Sequence, residues 1–475
     1  MSRSLHPASP HLHSSLPRRI SSDPAVVPAL IAFAIFYASN VGPRLLNAAV
    51  RALQTRDRLR QLPSMVKHIL LSALSRNELP AFWFFLLGSS VSTTRIIERL
   101  FPKRRLSLRQ SSFLGSAIAS MLVMRWHQRR VRKSVAVKQI ESVVSEKLDH
   151  HDHSRTIDTT LFTFTSACDY LFRRHILARN RLPISLNTCD MLSFVSSSSV
   201  VMYAWFYRPD RLPKSYNTWI TRYADLDTRL LDMLRLAQQR KFIYGVETGM
   251  AGILEPMTKN LGLPREYGDP VKSIPLPCVL IHENMAENCE MHAVLRFWKA
   301  FKAALVIYLP LNTVLQLRNL RSRTPILAQI AHVLKSSARS SSFLGLFVTL
   351  TWYGVCLTRS RLGPYFFPKA KPITWDNTLG PLLGCLICGW SILLETPQRW
   401  GELAQFVSPR AIGTLLPVSF DEAHEWFESL VFSASYAVLF SALSVNRSNR
   451  RLGVREPNDV RLRGMMGYAL TTIMR

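Results

Sequence analysis

Cys278-x3-His282-x6-Cys289-x2-His292 places two thiols and two imidazoles within fifteen residues. Two thiolates and two neutral imidazoles are what a closed tetrahedral zinc site uses. Glu283, Glu287 and Glu290 make the stretch acidic in a basic chain, which favours a cation. The spacing matches no standard zinc finger, and the segment must fold back on itself to present all four side chains. The alternative is an interfacial cap on the following helix, so no cofactor is required and zinc is the candidate if one is bound. His150, His151 and His153, with Asp149 and Asp152, form a second metal-capable cluster, read as a solvated loop. Cys385-x2-Cys388 has redox spacing but lies in an apolar segment, where cysteine behaves as a small hydrophobe.

Two acids stand in or at the edge of apolar segments and are candidate intramembrane acid sites, Asp169 and Asp190. Each also has a structural reading. Asp169 sits four residues before Arg173, within reach of an intrahelical ion pair, and Asp190 sits near a helix start, where the dipole favours a carboxylate. The chain contains no HExxH, GxSxG, phosphate-cradling glycine loop or dinucleotide fingerprint, so it is read as non-enzymatic.

The elements that carry these residues are apolar blocks separated by basic intervals. Hydrophobic residues make up 48% of the chain and charged ones 19%, with the charges confined between the blocks. Lys and Arg number 60 against 31 Asp and Glu. Aromatic residues sit inside the apolar blocks, as at Phe82–Phe85 and Tyr203–Tyr207, not among the arginines where nucleic-acid stacking would need them. The expected partner is therefore the lipid bilayer, whose anionic headgroups attract basic loops, and not nucleic acid. Seven cysteines over this length do not make a disulfide framework. The first apolar run lacks a secretory cleavage site, and residues 1–22 read as a disordered basic tail.

Candidate spans are Pro24–Gly42, Leu79–Thr94, Ser111–Met124, Ile157–Leu171 and Ile184–Tyr207, then Phe301–Leu317, Ser341–Thr358, Leu379–Leu394 and Phe427–Leu443. Several are shorter than the ~20 residues that cross a bilayer. Gly115, Gly380, Gly384 and Gly389 mark small-residue faces where helices approach closely, and the Ser196–Ser199 run is read as packing too. The organisation expected is a first membrane half over 24–208, a polar linker over 209–277, a Cys/His segment and second membrane half over 278–445, and a basic tail over 446–475. The linker holds one amphipathic helix, 226–242, with Asp225 as its N-cap. The halves resemble each other. Phe82–Arg95 pairs with Phe343–Arg359, Gly115–Trp126 with Gly380–Trp390, and Ile184–Tyr207 with Phe427–Leu443.

One stretch also carries a family likeness. Arg208-Pro209-Asp-Arg-Leu212-Pro213-Lys-Ser215-Tyr216 closes a span ending Met202-Tyr-Ala-Trp-Phe-Tyr207, and resembles the RP-x-x-LP-x-SY ending in fungal relatives of the transmembrane protein 135 family. Cys168-Asp-Tyr-Leu-Phe-Arg-Arg174, Asp190-Met-Leu-Ser-Phe194 and the Cys278, His282 and Cys289 segment are similar to that family's pattern as well. The likeness covers 157–220 well and 278–395 loosely. It implies a multi-pass protein of the peroxisomal or mitochondrial membrane, acting in organelle organisation or lipid handling, with other organelle membrane proteins or a second copy as partners. The family shares a distant likeness with the mitochondrial import-channel and peroxisomal 24-kilodalton membrane protein group.

The reading as a whole is an all-α polytopic membrane bundle of about eight or nine short helices in two related halves. Its expected role is non-enzymatic, in membrane organisation or lipid homeostasis. The alternative role is a carrier or channel for lipids or small solutes.

Overall fold

The computed structural model describes residues 26–53, 56–74, 78–101, 106–143, 155–179, 185–317, 325–416 and 422–451. Among the described residues the regular elements are helical and none is a strand. In chain order they are α1 (Val26–Leu53), α2 (Arg56–Ala73), α3 (Leu79–Leu100), α4 (Leu108–Val143), α5 (Arg155–Arg179), α6 (Leu186–Tyr207), α7 (Lys214–Ala224) and α8 (Thr228–Gln238). Then follow α9 (Ala251–Asn260), α10 (Cys278–Ile281), α11 (Cys289–Leu317), α12 (Ile326–Cys356), α13 (Gly380–Cys388), α14 (Pro397–Leu415) and α15 (Glu422–Arg451). Two wider π turns, Leu357–Leu362 and Trp375–Leu379, lie between α12 and α13.

Several of the short spans expected from the apolar blocks are pieces of longer helices, whereas Leu379–Leu394 divides into the nine-residue α13 and a 3-10 turn. Ser111–Met124 lies inside the 36-residue α4, and Phe301–Leu317 closes the 29-residue α11. The flanking Arg, Lys, Gln and Leu residues are good helix formers, so the helix continues where the apolar block stops. Among the described residues four stretches are long and apolar enough to cross a membrane: Val26–Leu45, Ile326–Phe366, Pro372–Leu394 and Ala423–Asn446. Each overlaps an expected span.

Hydroxyl-rich sequence is compatible with these packed helices because the side chains bond back to their own backbone. Ser90 Oγ donates to Leu86 O at 2.6 Å and Thr94 Oγ1 to Ser90 O at 2.7 Å. Ser196 and Ser199 do the same towards Leu192 and Val195, both at 2.8 Å. A hydroxyl satisfied within its own turn can be buried without an outside partner.

The chain forms two compact units, residues 1–179 with 420–475, and residues 180–419. The first is centred on α3, packed against α1 and α4, with α15 against α4 and α5. Phe82, Trp83, Leu86, Met124, Tyr170, Phe432, Tyr436 and Phe440 fill its core, with Phe36 stacked on Trp83 at 4.7 Å. In the second unit α12 packs on α11 and α13, and α6 packs on α13 and α14. Its core joins Phe194, Trp205 and Phe206 of α6 to Phe343, Leu344 and Trp352 of α12.

This division departs from the expected halves. The third pair of resembling segments is exchanged: Phe427–Leu443 lies in the unit of α3 and α4, and Ile184–Tyr207 in the unit of α12 and α13. Nor is 209–277 a linker. Leu230, Leu231, Met233, Leu254 and Met257 of α8 and α9 belong to the second unit's core, because their apolar faces are wide enough to bury. The amphipathic helix is Thr228–Gln238, shorter than 226–242, and Asp225 is not its cap. Asp225 closes α7 in the left-handed conformation (φ +46), and Asp227 caps α8, its carboxylate accepting the Arg229 N–H at 3.0 Å. The second tail is likewise shorter than expected, since α15 remains helical to Arg451.

Candidate metal centre and apolar cavity

Pro277 opens α10, which puts Cys278 at its first turn and His282 at its end. The chain then reverses through Glu283 and Asn284, both left-handed at φ +53 and +56. Asn tolerates this conformation, and its side chain is held by Leu261 O at 2.9 Å. The reversal delivers Cys289 and His292 on the first turn of α11, so the segment folds back as a shared site requires. The ligand atoms of Cys278, His282 and Cys289 lie within 4.8 Å of one another. Those of His282, His292 and Cys356 do so as well. The two triads share His282, which therefore links the other three sequence candidates with Cys356 from the last turn of α12.

The two histidines stack at 4.2 Å but differ in their hydrogen bonds. His282 Nδ1 is 2.9 Å from Ala286 O, which assigns the proton of the neutral ring to Nδ1. Its Nε2 lone pair then accepts from the Cys356 thiol, whose Sγ is 3.4 Å away. His292 Nε2 accepts from Arg296 Nε at 3.1 Å, which leaves the proton on Nδ1, and that buried atom has no partner. Burial holds the His282 ring below its ordinary pKa. Burial, with His282 and Arg296 alongside, holds His292 down to about 3. Burial also pushes the Cys289 thiol up.

Arg296 holds this corner together and is 2% exposed. Besides His292 it donates to Ala224 O at 3.0 Å and Asp225 O at 2.6 Å, closing the C-terminus of α7. Glu283 pairs with it at 2.8 Å and also accepts the Asp227 N–H at 2.6 Å. A second buried pair, Arg359 with Asp376 at 2.6 Å, connects the two π turns, and Tyr244 donates to the same Asp376 at 2.7 Å.

A cavity of about 310 Å³ lies elsewhere in this unit, at the low end of small-molecule sites. Phe194, Trp205, Trp219, Phe347, Trp352 and Phe406 dominate its wall, with hydroxyls of Ser198, Tyr216, Tyr223 and Tyr308 among them. The Trp205 N–H is satisfied by Thr221 Oγ1 at 3.0 Å, so the lining is predominantly apolar. Arg410 sits over the rings of Tyr216 and Phe406, at 4.7 and 4.1 Å.

The other sequence candidates are distributed. Asp169 pairs with Arg173 at 2.8 Å on α5, within one helix. Asp190 is buried one turn into α6. A Cβ on Gly115 would stand 2.7 Å from the Thr94 backbone, and one on Gly389 2.8 Å from Val195 Cα. Gly384 approaches Thr351 O more closely still, whereas Gly380 meets the carbonyl of Trp375 in its own preceding turn. In the 208–216 stretch, Arg208 caps α6, Pro209 starts a short 3-10 turn, and Leu212 is buried. Pro213 then caps α7, near whose start Ser215 is exposed while Tyr216 stacks on Trp219 at 5.8 Å. Cys385 and Cys388 are buried free thiols. The His150–His153 cluster and the 1–22 tail lie outside the described residues.

Sequence reading missed Glu428, buried in α15 and held by Thr160 at 3.0 Å, Gln128 at 3.1 Å and Thr156 at 3.4 Å. It lies one residue into the expected span Phe427–Leu443, which is the signal that marked Asp169 and Asp190. Cys356 was also missed, being 64 residues past His292.

These features define, among the described residues, an all-helical architecture with four helices long and apolar enough to cross a membrane, a buried Cys/His cluster and an aromatic cavity. None of the protein-family models, curated proteins or solved structures compared with the chain matches it.

Proposed function

We propose that this chain is a non-enzymatic multi-pass protein of a peroxisomal or mitochondrial membrane, acting in lipid homeostasis by holding one apolar lipid moiety in the second unit. The observation that carries the reading is the aromatic cavity beside α12, a helix apolar enough to cross a membrane. Its wall offers dispersion contacts and a few hydroxyls but no buried charge, which suits an acyl chain or a sterol ring. The likeness of 208–216 to the transmembrane protein 135 family supports the organelle and the lipid connection. The repeated small-residue helices support a duplicated bundle in which the third helices are exchanged.

The test uses full-length protein in detergent with a photoactivatable fatty acid and a photoactivatable sterol. Labelling of peptides containing Trp205, Trp219 or Phe347, lost in Val348→Trp, is the expected result. Labelling that ignores the bulky substitution would discard the cavity as the site. Carbonate extraction of organelle fractions checks the membrane assignment, since release of the chain into the supernatant contradicts it. Deletion that leaves organelle shape, number and lipid content unchanged contradicts the lipid role.

Acids buried or half-buried within helices favour a second reading, a carrier in which protonation accompanies transport. Glu428 joins Asp169 and Asp190 as a candidate. Each Asp→Asn or Glu→Gln change should abolish flux in reconstituted vesicles while the protein remains folded, and normal flux in all three would remove this reading.

A further inference from the structure

The Cys/His corner has more donor groups than one metal needs, and their hydrogen bonds sort them. A ligating histidine binds through one nitrogen and donates its other N–H to a carbonyl or carboxylate, which fixes the ring. His282 has this arrangement, with Nδ1 against Ala286 O and Nε2 towards Cys356. His292 does not. Its Nε2 lone pair is taken by Arg296, so Nδ1 bears the proton and neither ring nitrogen offers a free lone pair. Ligation through Nδ1 would set the Nε2 proton against the Arg296 donor. We infer that Cys278, His282, Cys289 and Cys356 together bind one zinc ion in a closed, structural site, with His292 as a stacked plate behind it.

Three thiolates and one imidazole form a familiar closed zinc set, and a fully protein-ligated ion has no open position for catalysis. Burial alone disfavours the thiolate, but a bound divalent cation reverses that balance and deprotonates a coordinating thiol. Three released thiol protons leave the zinc unit with one net negative charge, within reach of the Arg359 and Arg361 side chains. The ion would fasten three separate pieces of chain, the α10 loop, the start of α11 and the end of α12. Cys356 matters most to this role, because it alone of the four belongs to a membrane-length helix. The inference does not rest on the lipid reading.

The experiment takes full-length protein purified in detergent from zinc-supplemented cells and measures bound metal by elemental analysis, with helicity checked by circular dichroism. One zinc per chain is expected, lost in Cys278→Ser, Cys289→Ser and Cys356→Ser and retained in His292→Gln and in the control Cys189→Ser. Cobalt exchange supplies a second readout on the unmodified protein: tetrahedral absorption with thiolate charge-transfer bands, reduced by about a third if Cys356→Ser still takes up metal. Helical unmodified protein that binds neither zinc nor cobalt overturns the proposal. So does a Cys289–Cys356 disulfide found by mass spectrometry. Retention of full metal and full charge-transfer intensity by Cys356→Ser, with loss in His292→Gln, overturns the ligand assignment. If the serine variants aggregate, the cobalt spectrum and alkylation count of the unmodified chain decide: three protected thiols released by chelation uphold the site, and none overturns it.

Discussion

Arg296 ties together the backbone of one helix, a strained loop and a histidine. Replacing it with Met leaves Glu283 partly buried without its cation and leaves the Ala224 and Asp225 carbonyls short of a donor. Removing one partner of a buried pair typically costs about 3–5 kcal/mol. Arg296→Met should lower the thermal midpoint accordingly, and Arg296→Lys should recover little, because an ammonium cannot reproduce the planar fork. Recovery by Lys would mean that charge alone matters there. His127 offers a pH-dependent counterpart in the first unit. Burial against Phe82 (4.9 Å between rings) lowers its pKa to about 4, with Glu78 opposing. The unfolded chain takes up this proton near pH 6.5 while the folded one refuses it. Stability is therefore flat above pH 6.5 and falls as pH drops towards 4, by on the order of 3 kcal/mol from this residue. His127→Phe should flatten that fall in unfolding measured from pH 7 to 4, and an unchanged slope would show that another group is responsible. At this scale the sequence was partly informative. Cys278, His282, Cys289 and His292 are close along the chain, and one reversal is enough to gather them. Cys356 and Arg296 acquire their roles through contacts between distant segments, which leave no local pattern to read.

Helices announce themselves through composition, and the apolar blocks were visible for that reason. Their ends were less visible, because Arg- and Lys-rich flanks continue a helix as readily as they end one. The capping of α8 shows the same limit. Asp225 and Asp227 are chemically equivalent candidates, and the choice depends on where the preceding helix stops. Glycine positions can now be ranked. Gly384→Ala drives a methyl group into the Thr351 carbonyl of α12, and overpacking of this kind costs about 1–3 kcal/mol. Gly42→Ala in α1 meets nothing within 4 Å and should gain up to about 1 kcal/mol from helix propensity. Thermal unfolding of the two single variants checks the contrast, and equal effects would show that the α12–α13 contact is not close-packed.

The whole molecule is built from units whose boundaries cut across sequence order. The first unit needs α15, which supplies Phe432, Tyr436 and Phe440 to its core and Glu428 to Thr156, Thr160 and Gln128. A chain ending at Ser419 should therefore lose protease resistance in α3, α4 and α5 while α6 to α14 remain protected. Co-expression of 420–475 should restore it. Equal protection of the truncated and full chains would mean that the first unit stands without α15. This nesting was illegible because resembling segments show which helices are alike and not which ones associate.

The discontinuity of the first unit also sets a schedule for synthesis. Residues 180 to 419 must all be made between the first unit's early helices and its last one. At about 5–20 residues per second this delay is roughly 10–50 s. Throughout it the threonine face of α5 and the aromatic face of α3 lack their final partner. The second unit can complete itself during that wait. A newly made chain thus passes through an obligatory half-finished stage, and helpers that shield incompletely packed apolar helices have their longest opportunity to act on it there.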